Sequence, residues 1–165
     1  MANPSIGVML DLDDTLVLSD AIEEFRRNRQ WSKCYSEFSR TYLPEGTHSF
    51  LHKLREFATC GVVTTAPRPY AERLIAFHSL NLDVLVAYHD VKAHKPFPEP
   101  LLLGAEKLGI PTERCIHIGD SESDVVAAVR AGAMSISVCW TGNNSHEAFH
   151  YWSDVLRQIE KFRGA

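Results

Sequence analysis

The chain has 165 residues, of which 45% are hydrophobic and 23% charged, with a formal net charge of -4. That length fits a single domain able to bury about two-thirds of its unfolded surface without staples. The acidic balance gives no global pull toward nucleic acid or anionic membranes, and no apolar run approaches the ~18 residues of a membrane span.

Residues Met1 to Ser5 show no basic region leading into an apolar stretch, so no secretory leader is read there. Cys34, Cys60, Cys115 and Cys139 are widely spaced and form no Cys-x-x-Cys pair. Reduced thiols in a cytoplasmic protein are expected. Ile6 to Leu10 reads as a fully buried strand that runs into Asp11-Leu12-Asp13-Asp14-Thr15-Leu16. From Ser19 to Tyr42 the apolar residues Ile22, Phe25, Tyr35, Phe38 and Tyr42 fall near helical spacing and predict one or two amphipathic helices. Pro44-Glu45-Gly46 breaks that pattern. Phe50, Leu51, Leu54 and Phe57 mark a helix, with Gly61 expected just past its end as a stop. Val62 to Thr65 reads as a short buried strand, Pro69 to about Leu80 as a helix, and Val84 to Ala87 as a strand. Lys92 to Pro100 is a proline-containing loop, and Leu101 to Leu108 a helix ended by Gly109. A strand at Cys115 to Ile118, a helix at Ser121 to Ala131 and a strand at Met134 to Val138 follow. Ala148, Trp152, Val155, Leu156 and Ile159 fit a last helix. Strands alternating with helices predict a parallel sheet covered on both faces.

Four chemistry-bearing pieces stand at predicted strand ends, where an open parallel sheet gathers them into one crevice. Asp11 and Asp13 leave the first strand on the same side. Two such carboxylates are expected to raise each other's pKa unless a cation joins them, which points to a Mg²⁺ site. Thr64 and Thr65 end the second strand, and Lys95 lies in the loop beyond the third. Gly119-Asp120-Ser121-Glu122-Ser123-Asp124 follows the fourth; Gly119 permits a sharp turn, and Asp120 and Asp124 are four residues apart on one helix face. Each piece alone has a plain explanation: turn chemistry, a β-branched strand residue, a surface lysine, a capped helix start. Their order and spacing together are far more specific. Asp11 and Asp120 are the first candidates for direct metal ligation, with the Asp13 carbonyl and Asp124, directly or through water, after them.

These pieces, Asp-x-Asp-x-Thr at Asp11 to Thr15, Thr64, Lys95-Pro96 and Gly-Asp-x-x-x-Asp at Gly119 to Asp124, resemble the motifs of the haloacid dehalogenase-like superfamily of phosphohydrolases. The resemblance covers nearly the whole chain. It implies an α/β, Rossmann-like three-layer sandwich around a parallel sheet, as one domain over 1–165. It also implies a mechanism. Asp11 would attack phosphorus and form an aspartyl-phosphate. Asp13 would protonate the leaving oxygen and then activate water. Thr64 would hydrogen-bond the phosphoryl oxygens, Lys95 would offset their charge, and Asp120 with Asp124 would anchor Mg²⁺. Thr15, Thr65 and Arg68 are further candidates for substrate contact. Asp13 argues against carbon–halogen cleavage, because a departing halide needs no proton. A response-regulator receiver domain also uses acids, Thr and Lys, but its phosphorylated Asp follows a later strand.

Many relatives carry a helical cap between the first two motifs. Here 17–43 is too short for a four-helix cap and fits a reduced cap or flap. Arg26, Arg27, Arg29, Lys33 and Arg40 make this segment basic. A second-anion docking surface competes with a solvated face bearing pairs such as Glu23–Arg27, and the latter is favoured. Trp31, Tyr35, Phe38 and Tyr42 could stack on a nucleobase, but core packing is the commoner use. His117 is expected to be packed in its strand, and His89 and His94 to lie in loops near the crevice. A phosphomonoester hydrolase is the expected function. A nucleotide or nucleic-acid end phosphatase, or a non-catalytic phosphate- or partner-binding module, are the rivals.

Overall fold

Five strands, β1 (Ile6–Leu10), β2 (Ala58–Val63), β3 (Val84–Val86), β4 (Cys115–Gly119) and β5 (Met134–Ser137), pair in parallel in the order β3-β2-β1-β4-β5. The computed structural model describes residues 6–141 and 148–164; Met1 to Ser5, read above for a leader, lie outside them. The helices are α1 (Glu23–Arg27), α2 (Trp31–Ser36), α3 (Thr47–Leu54), α4 (Arg68–Phe77), α5 (Glu99–Leu108), α6 (Glu122–Ala131) and α7 (Trp152–Gly164).

Strand alternation sorts the apolar residues into two cores. Val8, Leu10, Cys60, Val62, Ile116 and Ile118 face one layer, which includes Leu54 of α3, Leu74 of α4 and Val155 of α7. Met9, Val63 and Val86 face the other, beneath Leu101 and Ala105 of α5 and Ala127 and Ala128 of α6. Both faces of β1 are therefore buried, so its apolar run is continuous rather than alternating. The chain winds outward from β1 through β2 to β3, then returns to place β4 on the other side of β1. Beyond the carboxyl ends of β1 and β4 the connections diverge and open a crevice. The expected three-layer arrangement is the one found. No helix among the described residues is long and apolar enough to cross a membrane.

Gly61 is a correction. It is not a helix stop but sits inside β2, paired with Met9 and Val84. A Cβ there would overlap the Val84 Cγ2, so the residue marks a close approach of neighbouring strands. Helix α3 ends at Leu54 instead, leaving Phe57 outside it, and β2 begins four residues earlier than its Val-Val run implies.

The 17–43 segment is pinned at its base. Leu18 and Tyr42 form an antiparallel bridge with N···O distances of 2.8 and 3.2 Å. Helix α2 and the turn after it rest on α4: Trp31 meets Tyr70 at a centroid distance of 5.5 Å, and Phe38 meets the same ring edge-on at 5.7 Å. Core packing thus accounts for Trp31, Tyr35 and Phe38, while Tyr42 stays 53% exposed.

Candidate active site

Asp11 leaves β1 with its N–H donating to the Ile118 carbonyl of β4 at 2.9 Å, which sets its side chain at the switch point. Lys95, in the loop after β3, reaches back under the strand ends. Its Nζ lies 3.0 Å from Asp11 Oδ1 and 2.6 Å from Asp124 Oδ1, and donates to the Val63 carbonyl at 3.1 Å. The Lys95 side chain is 3% exposed and that of Asp124 1%, so this is a buried ion cluster rather than a surface one. Asp11 and Asp124 hold the Lys95 pKa above its usual value although burial alone would lower it.

Asp124 uses both oxygens on protein donors. Oδ1 takes Lys95 and a ring nitrogen of His117 (2.9 Å), and Oδ2 takes the Ser121 N–H (3.2 Å) and hydroxyl (2.5 Å). Burial would raise its carboxyl pKa, but His117 and Lys95 outweigh that and lower it. Burial also holds the His117 ring below its usual pKa. Ser121 is the N-cap of α6, so the helix start and the acid site are one piece of structure.

Asp120 is exposed at the crevice, with Oδ1 accepting from the Thr15 hydroxyl at 2.9 Å. Thr15 itself is fully buried, its carbonyl held by the Trp140 indole N–H at 2.9 Å. It orients Asp120 and does not face the cavity as a substrate contact would.

Asp13 lines the same crevice with a separate set of partners. Its Oδ1 accepts from the Ser19 hydroxyl (2.6 Å) and the Tyr70 hydroxyl (2.7 Å) and lies 3.5 Å from Arg26 Nη1. Burial raises the Asp13 pKa, opposed by Arg26 and those two hydroxyls. Burial also raises Asp11, to about 7, with Asp124 and Asp120 adding to the rise against Lys95. The carboxylates are expected from sequence to raise each other's pKa; burial leads for both, and each answers to its own neighbours. Leu12 to Val17 is a tight turn, with Asp14 at φ +61, rather than more strand.

A cavity of about 390 Å³ opens on Asp11, Asp13, Asp14, Asp120, Thr64 and Thr65. Thr64 is 5% exposed, and its hydroxyl accepts the Ala66 N–H at 3.0 Å, which braces the turn after β2. Arg68 does not join the site. Its guanidinium is taken by Glu72 (3.2 Å), Asp90 (2.6 Å) and the Leu85 carbonyl (3.1 Å).

One carboxylate oxygen from each of Asp11, Asp120 and Asp124 lies within 4.8 Å of the others. The donors are all hard oxygens, and Asp124 and Asp120 add to the rise that burial gives the Asp11 pKa. Such a set suits a divalent cation that prefers oxygen. Asp11 and Asp120 are the members able to turn to it, since Asp124 is already engaged. The structure also adds partners that spacing did not show: Ser19, Tyr70, Arg26, His117 and Trp140. Asp14 was legible as the third acid of its run, but its 3.3 Å pairing with Arg26 was not.

Gly119 has a packing role here. A Cβ at this position would overlap the Asp124 side chain. Gly119→Ala is expected to displace Asp124 from Lys95 and destabilise the fold by about 2–4 kcal/mol, as overpacking and a disturbed ion cluster do. Urea unfolding checks this, and a loss below about 0.5 kcal/mol would show that the site yields freely.

A family model described as haloacid dehalogenase-like hydrolase matches residues 8–138. The chain is 30% identical over 146 residues to a phosphoglycolate phosphatase of Shigella boydii serotype 4, covering 83% of this chain and 55% of that protein. It is 33% identical over 127 residues to a phosphoglycolate phosphatase of Salmonella paratyphi A, covering 70% and 49%. It thus spans about half the length of these curated relatives. The crystal structure of CbbY from Rhodobacter sphaeroides in complex with phosphate superposes with a TM-score of 0.79 at 17% identity, over 93% of this chain and 98% of that one, a likeness of fold. With the match running from the first strand past the acidic helix start, the chain belongs to the haloacid dehalogenase-like hydrolase family.

Proposed function

We propose that the chain hydrolyses phosphomonoesters, using Mg²⁺ and an aspartyl-phosphate on Asp11. The observation that carries this reading is the meeting of Asp11, Lys95 and Asp120 at the carboxyl ends of β1 and β4, with Asp13 held apart by its own donors. The curated relatives named as phosphoglycolate phosphatases support it.

An Asp11 carboxylate oxygen bonds to phosphorus as the ester oxygen departs. Asp13, whose burial favours the protonated form, gives that oxygen its proton. A water molecule then attacks the phosphoryl group, losing its proton to Asp13, and the bond between Asp11 and phosphorus breaks to release inorganic phosphate. Lys95 and the Thr64 turn face the phosphoryl oxygens. Mg²⁺ held by Asp11 and Asp120 would supply the positive charge that lets a dianionic phosphate approach these acids. The 17–43 segment serves as a reduced cap, with Arg26 reaching from α1 to Asp13 and Asp14.

Mg²⁺-dependent release of p-nitrophenol from p-nitrophenyl phosphate tests the reading. No turnover with any divalent ion would favour a phosphate- or partner-binding module. Asp13→Asn supplies a sharper check. Asn can neither give nor take the proton, so kcat is expected to fall about 10²–10⁴-fold. The loss should be smaller in phosphorylating Asp11 by p-nitrophenyl phosphate, whose leaving group needs little protonation, than in the hydrolysis step. Phosphorylated protein should therefore accumulate in acid quench. An unchanged kcat would remove Asp13 from the proton path.

A further inference from the structure

The first cavity does not end at the acids. Arg26, Arg27 and Thr65 also line a second cavity of about 240 Å³, bounded by Arg29, Trp31, Tyr88 and His89. The two chambers differ sharply in charge. The first carries Asp11, Asp13, Asp14, Glu23 and Asp120. The second has three guanidinium groups and no carboxylate in its lining, inside a chain of net charge -4.

The three arginines are not equivalent. Arg26 is drawn to Asp13 and Asp14, and its Nε is buried with no hydrogen-bond partner. Arg27 pairs with Glu23 at 2.5 Å. Arg29 has no ion pair among the described residues, and its backbone sits at φ +55, where glycine would be the easier residue. Arg27 has its compensating pair, Arg29 is exposed with its charge unpaired among the described residues, and the Arg26 Nε is buried without a partner. The walls are firm: Trp31 packs on Tyr70 at 5.5 Å, and Tyr88 stacks on His94 at 3.9 Å.

We propose that this second chamber binds the leaving-group end of the substrate, and that the substrate is a phosphomonoester whose alcohol carries a second anionic group. This rests on the hydrolase reading above. The phosphoryl group needs the acidic chamber with its metal. A second anion would be repelled there, but it meets Arg29 and the neighbouring guanidiniums one chamber further on. Trp31 and Tyr88 offer flat faces to the carbon framework between the two charges. Carboxylate and phosphate share the chemistry that Arg29 recognises.

The test compares kcat/KM, with Mg²⁺, for 4-carboxyphenyl phosphate, benzene-1,4-diyl bisphosphate and the neutral 4-carbamoylphenyl phosphate. At least one of the two esters with an anionic tail is expected to exceed the neutral one by about tenfold or more, mainly through KM, and the faster one identifies carboxylate or phosphate as the tail. In Arg29→Gly, which suits the φ of this position, that ratio is expected to fall toward one, while Arg29→Lys keeps most of it. Equal efficiency for all three esters in the native protein, or a ratio untouched by Arg29→Gly, overturns the substrate class and leaves hydrolysis standing. No turnover of any ester overturns the hydrolase reading and the substrate class together.

Discussion

With Asp11 replaced by Asn, turnover of p-nitrophenyl phosphate is expected to fall by at least about 10⁴-fold, because the amide cannot form the covalent intermediate. The metal-free protein should at the same time become more stable at neutral and alkaline pH. In the folded protein the Asp11 carboxyl has its pKa pushed up to about 7 from 3.8, through burial and the nearby charges of Asp124 and Asp120. A raised carboxyl pKa means that ionisation opposes folding. The favourable contribution of the neutral form is complete below about pH 4 and is lost as pH rises through about 7. Asn, neutral throughout, avoids that loss, which should amount to about 2–4 kcal/mol at pH 8. Urea unfolding without metal at pH 5 and pH 8 checks this: the variant should gain on the native protein between the two. Mg²⁺ should stabilise the native protein more than the Asp11→Asn variant, in which one ligand has lost its charge. Full activity in Asp11→Asn would end the covalent mechanism; equal pH responses would mean that Asp11 is not the strained acid.

The second large effect is at Lys95. Lys95→Met removes the ammonium that lies between Asp11 and Asp124 and caps the Val63 carbonyl. Breaking a buried ion cluster by deleting one partner costs about 3–5 kcal/mol, because the remaining charges stay desolvated. On the proposed mechanism, loss of the charge that Lys95 would hold against the phosphoryl oxygens should add a fall in kcat of about 10²–10³-fold. The pH sign follows from the cluster. Without Lys95 the Asp11 pKa climbs further, so the destabilisation should be largest near pH 8 and shrink toward pH 5 as that carboxyl takes up a proton. Mg²⁺ should recover part of the stability and little of the rate. Lys95→Arg should not restore activity, since a planar fork does not fit a site built around one small cation at 3% exposure. Wild-type stability in Lys95→Met would show that the cluster is solvated.

Much of this architecture is legible in the sequence. A continuous apolar run marks β1, apolar residues on either side of His117 mark β4, and acids at their ends mark the crevice, because a parallel sheet buries both faces and delivers its strand ends to one side. Gly119, Ser121 and Asp124 are readable as a strand exit and capped helix for a similar reason: their interactions span only a few residues. Gly61 misleads because punctuation by glycine looks the same whether it ends a helix or clears space for Val84, and Val84 is far away in sequence.

Sequence alone determined the alternation of strands and helices, the identity of the four acids, Thr64 and Lys95, and their arrival at one edge of a sheet, since these depend on local periodicity and chain order. Only the tertiary structure decided what each group faces. It set Asp13 against Tyr70 and Arg26, bound both oxygens of Asp124 to Lys95, His117 and Ser121, buried Thr15 behind Asp120, and drew Arg68 away to Asp90. Those pairings join residues distant along the chain, and their strength depends on burial, which exists only once the layers have closed.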